Sequence, residues 1–442
     1  MSGEQLGVPT PSSGDRLAGI EGLRAIAAGS IVVVHVWAFS MATGVRAGDG
    51  RWTGHAVSTL SGGVTLFFTL SGFLLYRPFA AAIADGLPSL SIRRYLQNRA
   101  LRILPAYWVI LGVTGLLFGA AYIRDAHGHT SVSRFQNPVD LLQAAFLVQD
   151  DHPSTVTIGI GPAWSLAVEV VFYCVLPLLV IGVAHACRSV ESRRRRVAIL
   201  LVPPLVLLCV GLSGKLAEAV LSPGAPRWDA DWHSVLERSF WVQADLFSFG
   251  MVVAVVHAQV TGGYLTISRT VRRLLVGGGL VILLPSAWRM HEREFSYTLL
   301  NTGEALAMAL LLAALILPGA RSRPAALRLL ESRAFVAAGV VSYSVFLWHV
   351  PLIEWLRKEG LTFDGGALAL LGNLVVVGTV TGVLSALTYR YVEAPALRRK
   401  RSTRVTAISE AGAHETPVRR RDSMSAKTGE VVSVTTLTVV GS

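Results

Sequence analysis

Long apolar segments recur along most of the chain and alternate with shorter polar connections. A helix that crosses a bilayer needs about 20 mostly apolar residues. Segments of that kind run from Leu17 almost to Val392. The pattern predicts an all-α, polytopic membrane protein of about ten transmembrane helices. We place these helices at 17–40, 59–82, 103–124, 163–186, 197–220, 239–259, 274–290, 299–318, 335–356 and 367–391.

Arginines are distributed unevenly between alternate connections. One set carries clusters, namely Arg93, Arg94, Arg99 and Arg102, then Arg188 and Arg193 to Arg196, then Arg269, Arg272 and Arg273, then Arg321, Arg323, Arg328 and Arg333. The opposite set carries scattered residues, including Arg46, Arg51, Arg134, Arg227, Arg238, Arg293 and Arg357. The positive-inside rule predicts that the first set and both termini are cytoplasmic. Residues 1–16 and 396–442 are then cytoplasmic tails, the second basic, Ser/Thr-rich and disordered, around a transmembrane domain at 17–395.

Composition supports this assignment. Of the 442 residues, 52% are hydrophobic and 15% charged, against roughly a quarter charged in a soluble domain. The net charge of +12 comes from clusters between apolar segments, which favours contact with membrane lipids and not with nucleic acid. The three cysteines form no CxxC pair, so we expect neither a disulfide framework nor a metal site. The N-terminus lacks the features of a cleavable signal peptide.

Two segments interrupt the regular pattern. Pro203 and Pro204 should kink or break the span at 197–220, because neither can donate a backbone hydrogen bond. The run from Val139 to Val148 is short and amphipathic. It predicts a surface helix on the outer side and not another span.

Arg24 and His35 lie eleven residues apart in the first span. At 100° per residue they return to nearly one helix face, about 16 Å apart along the axis. Ionisable groups inside a membrane are costly and often functional, and an imidazole is suited to removing a hydroxyl proton near neutral pH. The spacing equally fits a buried histidine satisfied by a neighbouring helix and an arginine that reaches the interface.

Small and basic residues mark the next two spans. Ser71 and Gly72 leave room for another helix or for a narrow ligand between large aromatic side chains. Arg99 and Arg102 share a helical face at a cytoplasmic boundary. They could bind phosphates bidentately or serve only as membrane anchors.

Further ionisable residues fall inside predicted spans. Glu169 lies at about the depth of His35, as judged by the rise per residue. Asp245, Glu304 and His349 are each more typical of hydrogen bonds between helices. Embedded carboxylates and histidines also suit a proton-coupled secondary transporter, but the chain lacks the repeated halves common in that class.

Six motifs, in order, resemble the acyltransferase-3 family of membrane acyltransferases. They are Arg24 with ten residues before His35, FFTLSGF at 67–73, RALRILP at 99–105, WSLAVEVVFY at 164–173, SYSVFLWH at 342–349 and YVEAP at 391–395. The resemblance runs from about residue 15 to residue 395. One departure is Glu21, where the family usually has Asp.

The resemblance implies an acyl-CoA-dependent O-acyltransferase in a bacterial-type plasma membrane, acting on a carbohydrate-containing acceptor and holding no tightly bound cofactor. By position in the motifs, His35 would be the catalytic base, and Arg24 would be its partner that holds the charge or the carbonyl of the donor. Arg99 and Arg102 would contact CoA phosphates, and Ser71 with Gly72 would leave room for the thioester arm. From depth alone, we add Glu169 as a residue that orients His35.

Overall fold

Helices dominate the computed structural model, which describes residues 17–41, 57, 59–87, 91–124, 129–221, 230–289, 297–318 and 325–399. The helices are α1 (Ile20–Met41), α2 (Gly63–Ala84), α3 (Ile92–Gly112), α4 (Pro138–Ala145), α5 (Ala163–Ala186), α6 (Arg193–Leu200), α7 (Val202–Leu221), α8 (Trp232–Glu237), α9 (Phe240–Gln243), α10 (Asp245–Thr261), α11 (Arg269–Arg289), α12 (Tyr297–Ile316), α13 (Ala325–Leu330), α14 (Arg333–Lys358) and α15 (Gly366–Thr388).

Nine helical segments within the described ranges are long and apolar enough to cross a membrane. The all-α polytopic class is therefore confirmed. The remaining predicted span, 274–290, is helical within α11 but is not among the nine. The 1–16 tail, nearly all of the 396–442 tail, and Arg46, Arg51, Arg227, Arg293, Arg321 and Arg323 lie outside the described residues.

Two interruptions follow the sequence closely. Pro203 and Pro204 lie in the first turn of α7, and Leu201 separates that helix from α6. Proline is tolerated in a first turn because its missing N–H would lack an intrahelical partner there. The amphipathic run becomes α4, whose first turn is capped by the Asn137 side chain accepting from the amide of Val139.

The α3 helix begins eleven residues before the predicted apolar span at 103–124. Ser91 caps its N-terminus by accepting from the amide of Arg94. The added turns are polar, so hydropathy could not reveal them. They carry Arg99 and Arg102 on the same rigid helix as the buried part of α3.

Close helix contacts fix the centre of the protein. The α2 helix packs against α10 at two glycines, where a Cβ on Gly72 would collide with the carbonyl of Phe247 and one on Gly250 with that of Thr69. The α1 helix packs along α14, with Gly339 against the backbone of Glu21. This second contact brings the Arg24 and His35 motif of the first predicted span next to the SYSVFLWH motif of the span predicted at 335–356.

The connection before α5 folds over one end of these helices. Strands β1 (Ala121–Arg124) and β2 (Thr130–Ser133) form an antiparallel hairpin, and Tyr122 exchanges two backbone hydrogen bonds with Gly159. The Tyr122 hydroxyl donates to Glu354 on α14 at 2.6 Å. The connection is thus tied to the helices and not loosely attached.

Candidate functional site

A cavity of about 510 Å³ lies at the His35 end of α1. We call it the His35 cavity. Its walls come from α1, α2, α14, the hairpin connection and the segment around α9, and include Gln149, Asp150, Trp164 and Arg238. A volume of this size is typical of small-ligand sites.

A second cavity of about 90 Å³ lies further along α1, α2 and α14, toward the Arg24 end of α1. We call it the arginine cavity because Arg24, Arg99 and Arg102 line it together with Ser71 and Glu169. Three guanidinium groups face one carboxylate there, so the cavity favours an anionic ligand. The structure thus brings Arg24, Arg99, Arg102 and Ser71 together around one cavity, and their roles stay predictions.

The two cavities share Val64 and Phe346 in their linings. We call this pair the neck. Phe346 is 8% exposed and its ring packs edge-on against Phe67, with centroids 5.9 Å apart. His35 lies on one side of the neck and Arg24 on the other, as the eleven-residue spacing on one helix face predicts.

The partner of His35 is His349, on α14. His349 Nε2 lies 3.2 Å from His35 Nδ1, and the ring centroids are 5.0 Å apart. Each Nδ1 also contacts the carbonyl four residues earlier on its own helix, Ile31 at 3.0 Å and Val345 at 3.1 Å. The sequence indicated His349 only as an embedded polar residue, because the α1–α14 contact cannot be read from either helix alone.

Glu169 does not lie beside His35, which corrects our expectation from depth. Its carboxylate accepts a hydrogen bond from Ser71 and lines the arginine cavity. The reason is that Pro162 and Trp164, at the start of α5, already line the His35 cavity. Glu169, five residues beyond Trp164, is about 7 Å deeper.

Gly72 is a second correction. Ser71 lines the arginine cavity, but the open side of Gly72 is filled by the Phe247 backbone. The absence of a side chain at Gly72 therefore permits helix packing and does not make room for a ligand arm.

Asp150 and Arg238 add charge to the His35 cavity outside the spans. Burial raises the pKa of Asp150 to about 7, Arg238 opposes that shift, and Asp151 adds to it. Burial also lowers the pKa of Arg238, which donates to the carbonyl of Val156. Sequence reasoning placed Arg238 in an outer connection with no role and did not single out Asp150, because their approach depends on how the hairpin connection folds.

The SYSVFLWH and YVEAP motifs meet around the end of α15. The Ser344 hydroxyl donates to Glu393 at 2.5 Å, and the Trp348 indole donates to Thr388 at 3.0 Å. These bonds hold α14 in place where it carries Phe346 and His349. Their evident role is structural.

Asp245 and Glu304 are embedded as predicted. Asp245 pairs with Lys215 at 2.5 Å and accepts from Thr302 at 2.5 Å, which joins three helices. Glu304 is fully buried. Across the described ranges, no group of three or more His, Cys, Asp or Glu side chains is placed to hold a metal ion.

Comparisons with known proteins identify the family of the chain. The acyltransferase-3 family model, described as "Acyltransferase domain", matches residues 17–390. The chain belongs to the acyltransferase-3 family. It is a multi-pass membrane acyltransferase.

Two relatives illustrate the similarity. The "Exopolysaccharide production protein ExoZ" of Rhizobium meliloti is 28% identical over 371 residues, covering 80% of this chain and 95% of the relative. The "Putative peptidoglycan O-acetyltransferase YrhL" of Bacillus subtilis is 24% identical over 389 residues, covering 86% of this chain and 54% of the relative. No solved structure matches the chain significantly.

Proposed function

We propose that this acyltransferase moves a short acyl group, such as acetyl, from acyl-CoA to a hydroxyl of a carbohydrate-containing acceptor. One observation carries the proposal. A cavity lined by three arginines and a cavity containing an imidazole meet at one neck. A donor with phosphates at one end and a thioester at the other could bind across such an arrangement.

The arginine cavity fits the donor. Arg99 and Arg102 lie on the polar turns of α3, and guanidinium groups bind phosphates bidentately. Arg24, on the facing helix, would hold negative charge or the carbonyl closer to the neck. A volume of about 90 Å³ holds only part of the narrow arm of CoA, so the rest of the arm and the nucleotide would lie outside this cavity, nearer the start of α3.

The His35 cavity fits a sugar. Trp164 and Tyr122 are aromatic residues in its lining, and the amide oxygen of Gln149 is buried with no hydrogen-bond partner among the described residues. A sugar presents both apolar C–H faces and hydroxyl donors, which match these groups. The names of the two relatives, which mention an exopolysaccharide and peptidoglycan, point to the same class of acceptor.

The chemistry would be a direct acyl transfer. His35 Nε2 removes the proton of the acceptor hydroxyl as its oxygen attacks the thioester carbonyl. The carbon–sulfur bond then breaks, and the proton on His35 passes to the departing thiolate. The products are an ester and free CoA, and no oxidant or reductant is needed. Proton transfer by a positioned base contributes typically about 10²–10⁴-fold.

The test is an assay of purified protein in lipid nanodiscs with acetyl-CoA and defined oligosaccharides, read as thiol release and as acetyl ester by mass spectrometry. His35→Ala should lower kcat at least about 100-fold. His185→Ala, at an exposed position near the end of α5, is the matched control and should behave as wild type. Full activity in well-folded His35→Ala protein would refute the role of His35.

Donor binding is tested separately. Arg99→Ala and Arg102→Ala should raise the KM for acetyl-CoA with little change in kcat, because phosphates remote from the reacting carbonyl bind ground and transition states alike. An unchanged KM in both variants would leave only a role in membrane anchoring.

A further inference from the structure

The contact between His35 and His349 assigns a hydrogen to particular ring nitrogens. A neutral imidazole carries one N–H, and its other nitrogen can only accept. A backbone carbonyl oxygen can only accept as well. The Nδ1 of His35 lies 3.0 Å from the Ile31 carbonyl, and the Nδ1 of His349 lies 3.1 Å from the Val345 carbonyl. Both Nδ1 atoms must therefore carry the hydrogen.

This assignment fixes the bond between the rings. With its hydrogen on Nδ1, His349 has an accepting Nε2, and that atom lies 3.2 Å from the N–H of His35 Nδ1. The His35 N–H is thus shared between the Ile31 carbonyl and His349. The Nε2 of His35 is left as a bare lone pair, the form a base needs.

The opposite assignment fails on the same distances. If His349 Nε2 donated to His35, both Nδ1 atoms would present lone pairs to carbonyl oxygens at 3.0 and 3.1 Å. At His349, which is fully buried, such a contact between two accepting atoms is costly.

We propose that His349 is a positioning residue that holds His35 in its Nδ1–H tautomer and stabilises the imidazolium formed during transfer. This inference rests on the proposed role of His35 as the base. When His35 Nε2 takes the hydroxyl proton, the shared Nδ1–H becomes a charged donor to His349 Nε2 and the Ile31 carbonyl. Hydrogen bonds from charged donors are about twice as strong as neutral ones.

Substitution at 349 tests the accepting atom. His349→Gln places an amide oxygen near the former Nε2 and should keep kcat within a few-fold. His349→Phe fills the space without an acceptor and should lower kcat about 10–100-fold, the loss expected when a hydrogen bond to a charged group is removed, with the acetyl-CoA KM unchanged. Tyr76→Phe, which removes a buried hydrogen bond to the Leu200 carbonyl outside both cavities, is the control for structural damage and should leave kcat near wild type.

A double-mutant comparison separates positioning from general stability. In a His35→Ala background, His349→Phe should cause no further loss of kcat, because its effect passes through His35. An equal loss in both backgrounds would overturn the proposal. A wild-type kcat in His349→Phe, alongside an inactive His35→Ala, would overturn this inference alone. Full activity of His35→Ala would instead refute the proposed function.

The tautomer of His35 can also be measured directly, without any substitution at position 349. Solid-state NMR of wild-type protein labelled with ¹⁵N-histidine, minus the spectrum of His35→Ala, isolates the His35 signals. We expect a protonated Nδ1 and an unprotonated Nε2 above neutral pH. A protonated Nε2 with a bare Nδ1 would refute the assignment.

Discussion

Phe346 is the residue at which the two sides of the site meet. Its ring lines both cavities and packs against Phe67. In the proposed transfer, an acyl group that moves from the arginine cavity to His35 would lie against this ring. The size of this ring should therefore limit the length of the acyl chain.

Phe346→Ala should shift donor preference toward longer chains. The ratio of kcat/KM for butyryl-CoA over acetyl-CoA should rise at least about tenfold, since butyryl is two methylenes longer and each methylene in an apolar pocket contributes about 1–3 kcal/mol to discrimination. Phe39→Ala, which widens the His35 cavity but does not line the arginine cavity, is the control. A constant ratio in Phe346→Ala would mean that chain length is set elsewhere.

Asp150 should make folding stability depend on pH. Its pKa is raised from an ordinary 3.8 to about 7, so the folded chain retains a proton that the unfolded chain has released. Stability should then fall as pH rises from about 4 to about 7 and level off above that range, with an upper bound of about 4 kcal/mol.

The check is thermal unfolding in detergent across that range for wild type and Asp150→Asn. The variant cannot ionise and should show a shallower decline. Exposed Asp364→Asn is the control and should keep the wild-type decline. Parallel curves for wild type and Asp150→Asn would contradict the assignment.

At the residue scale, the sequence predicted relative positions correctly where both residues lie on the same helix. Arg24 and His35 occupy one face of α1, so their placement at the two cavities follows from helix geometry. Glu169 was misplaced because its depth depends on how far the preceding connection enters among the helices. His349 was not assigned to the site because its role depends on contact with a different helix.

At the scale of elements, the glycine contact between α2 and α10 sets how closely those helices approach. Gly72→Ala would drive a Cβ into the Phe247 carbonyl, and overpacking of this kind costs typically about 1–3 kcal/mol. We expect lower thermal stability and a displaced α2. Gly182→Ala, with open space around its Cβ position, should be neutral or slightly stabilising. Equal unfolding temperatures for the two variants would contradict the close contact.

The length of the apolar segments predicted most elements, because a helix that crosses a bilayer needs about 20 mostly apolar residues. The span at 163–186 coincides with α5, and those at 299–318 and 335–356 differ from α12 and α14 by two residues at each end. The start of α3 could not be predicted in this way, since Arg93 and Arg94 lie in its first turn. That turn is held by the Ser91 cap and not by burial.

At the scale of the whole molecule, clustered arginines of the predicted cytoplasmic set bind the ends of helices. Arg196 donates to the carbonyl of Ala84 at the end of α2, and Arg272 donates to those of Ala314 and Leu317 at the end of α12. Arg193 pairs with Asp85, one residue beyond α2. Cations are favourable at helix C-termini, which supports our proposal that these ends share the cytoplasmic side.

Single-cysteine labelling tests this sidedness. In a background lacking Cys174, Cys187 and Cys209, His152→Cys should react with an impermeant thiol reagent added outside intact cells. Arg94→Cys should react only after permeabilisation. Both positions are exposed. Reaction at 94 but not at 152 in intact cells would reverse the topology and would place Arg99 and Arg102, the proposed CoA-binding arginines, on the outer side.

The neck at Val64 and Phe346 also has a consequence for the electrochemical gradient across the membrane. If the two cavities open toward opposite faces, this apolar pair is the barrier that keeps hydrated protons and ions from following the acyl group. An enzyme that reaches across a bilayer must not discharge its electrochemical gradient. The side chains that limit acyl length would then also act as an insulator, so widening the neck would broaden donor range at the expense of membrane potential.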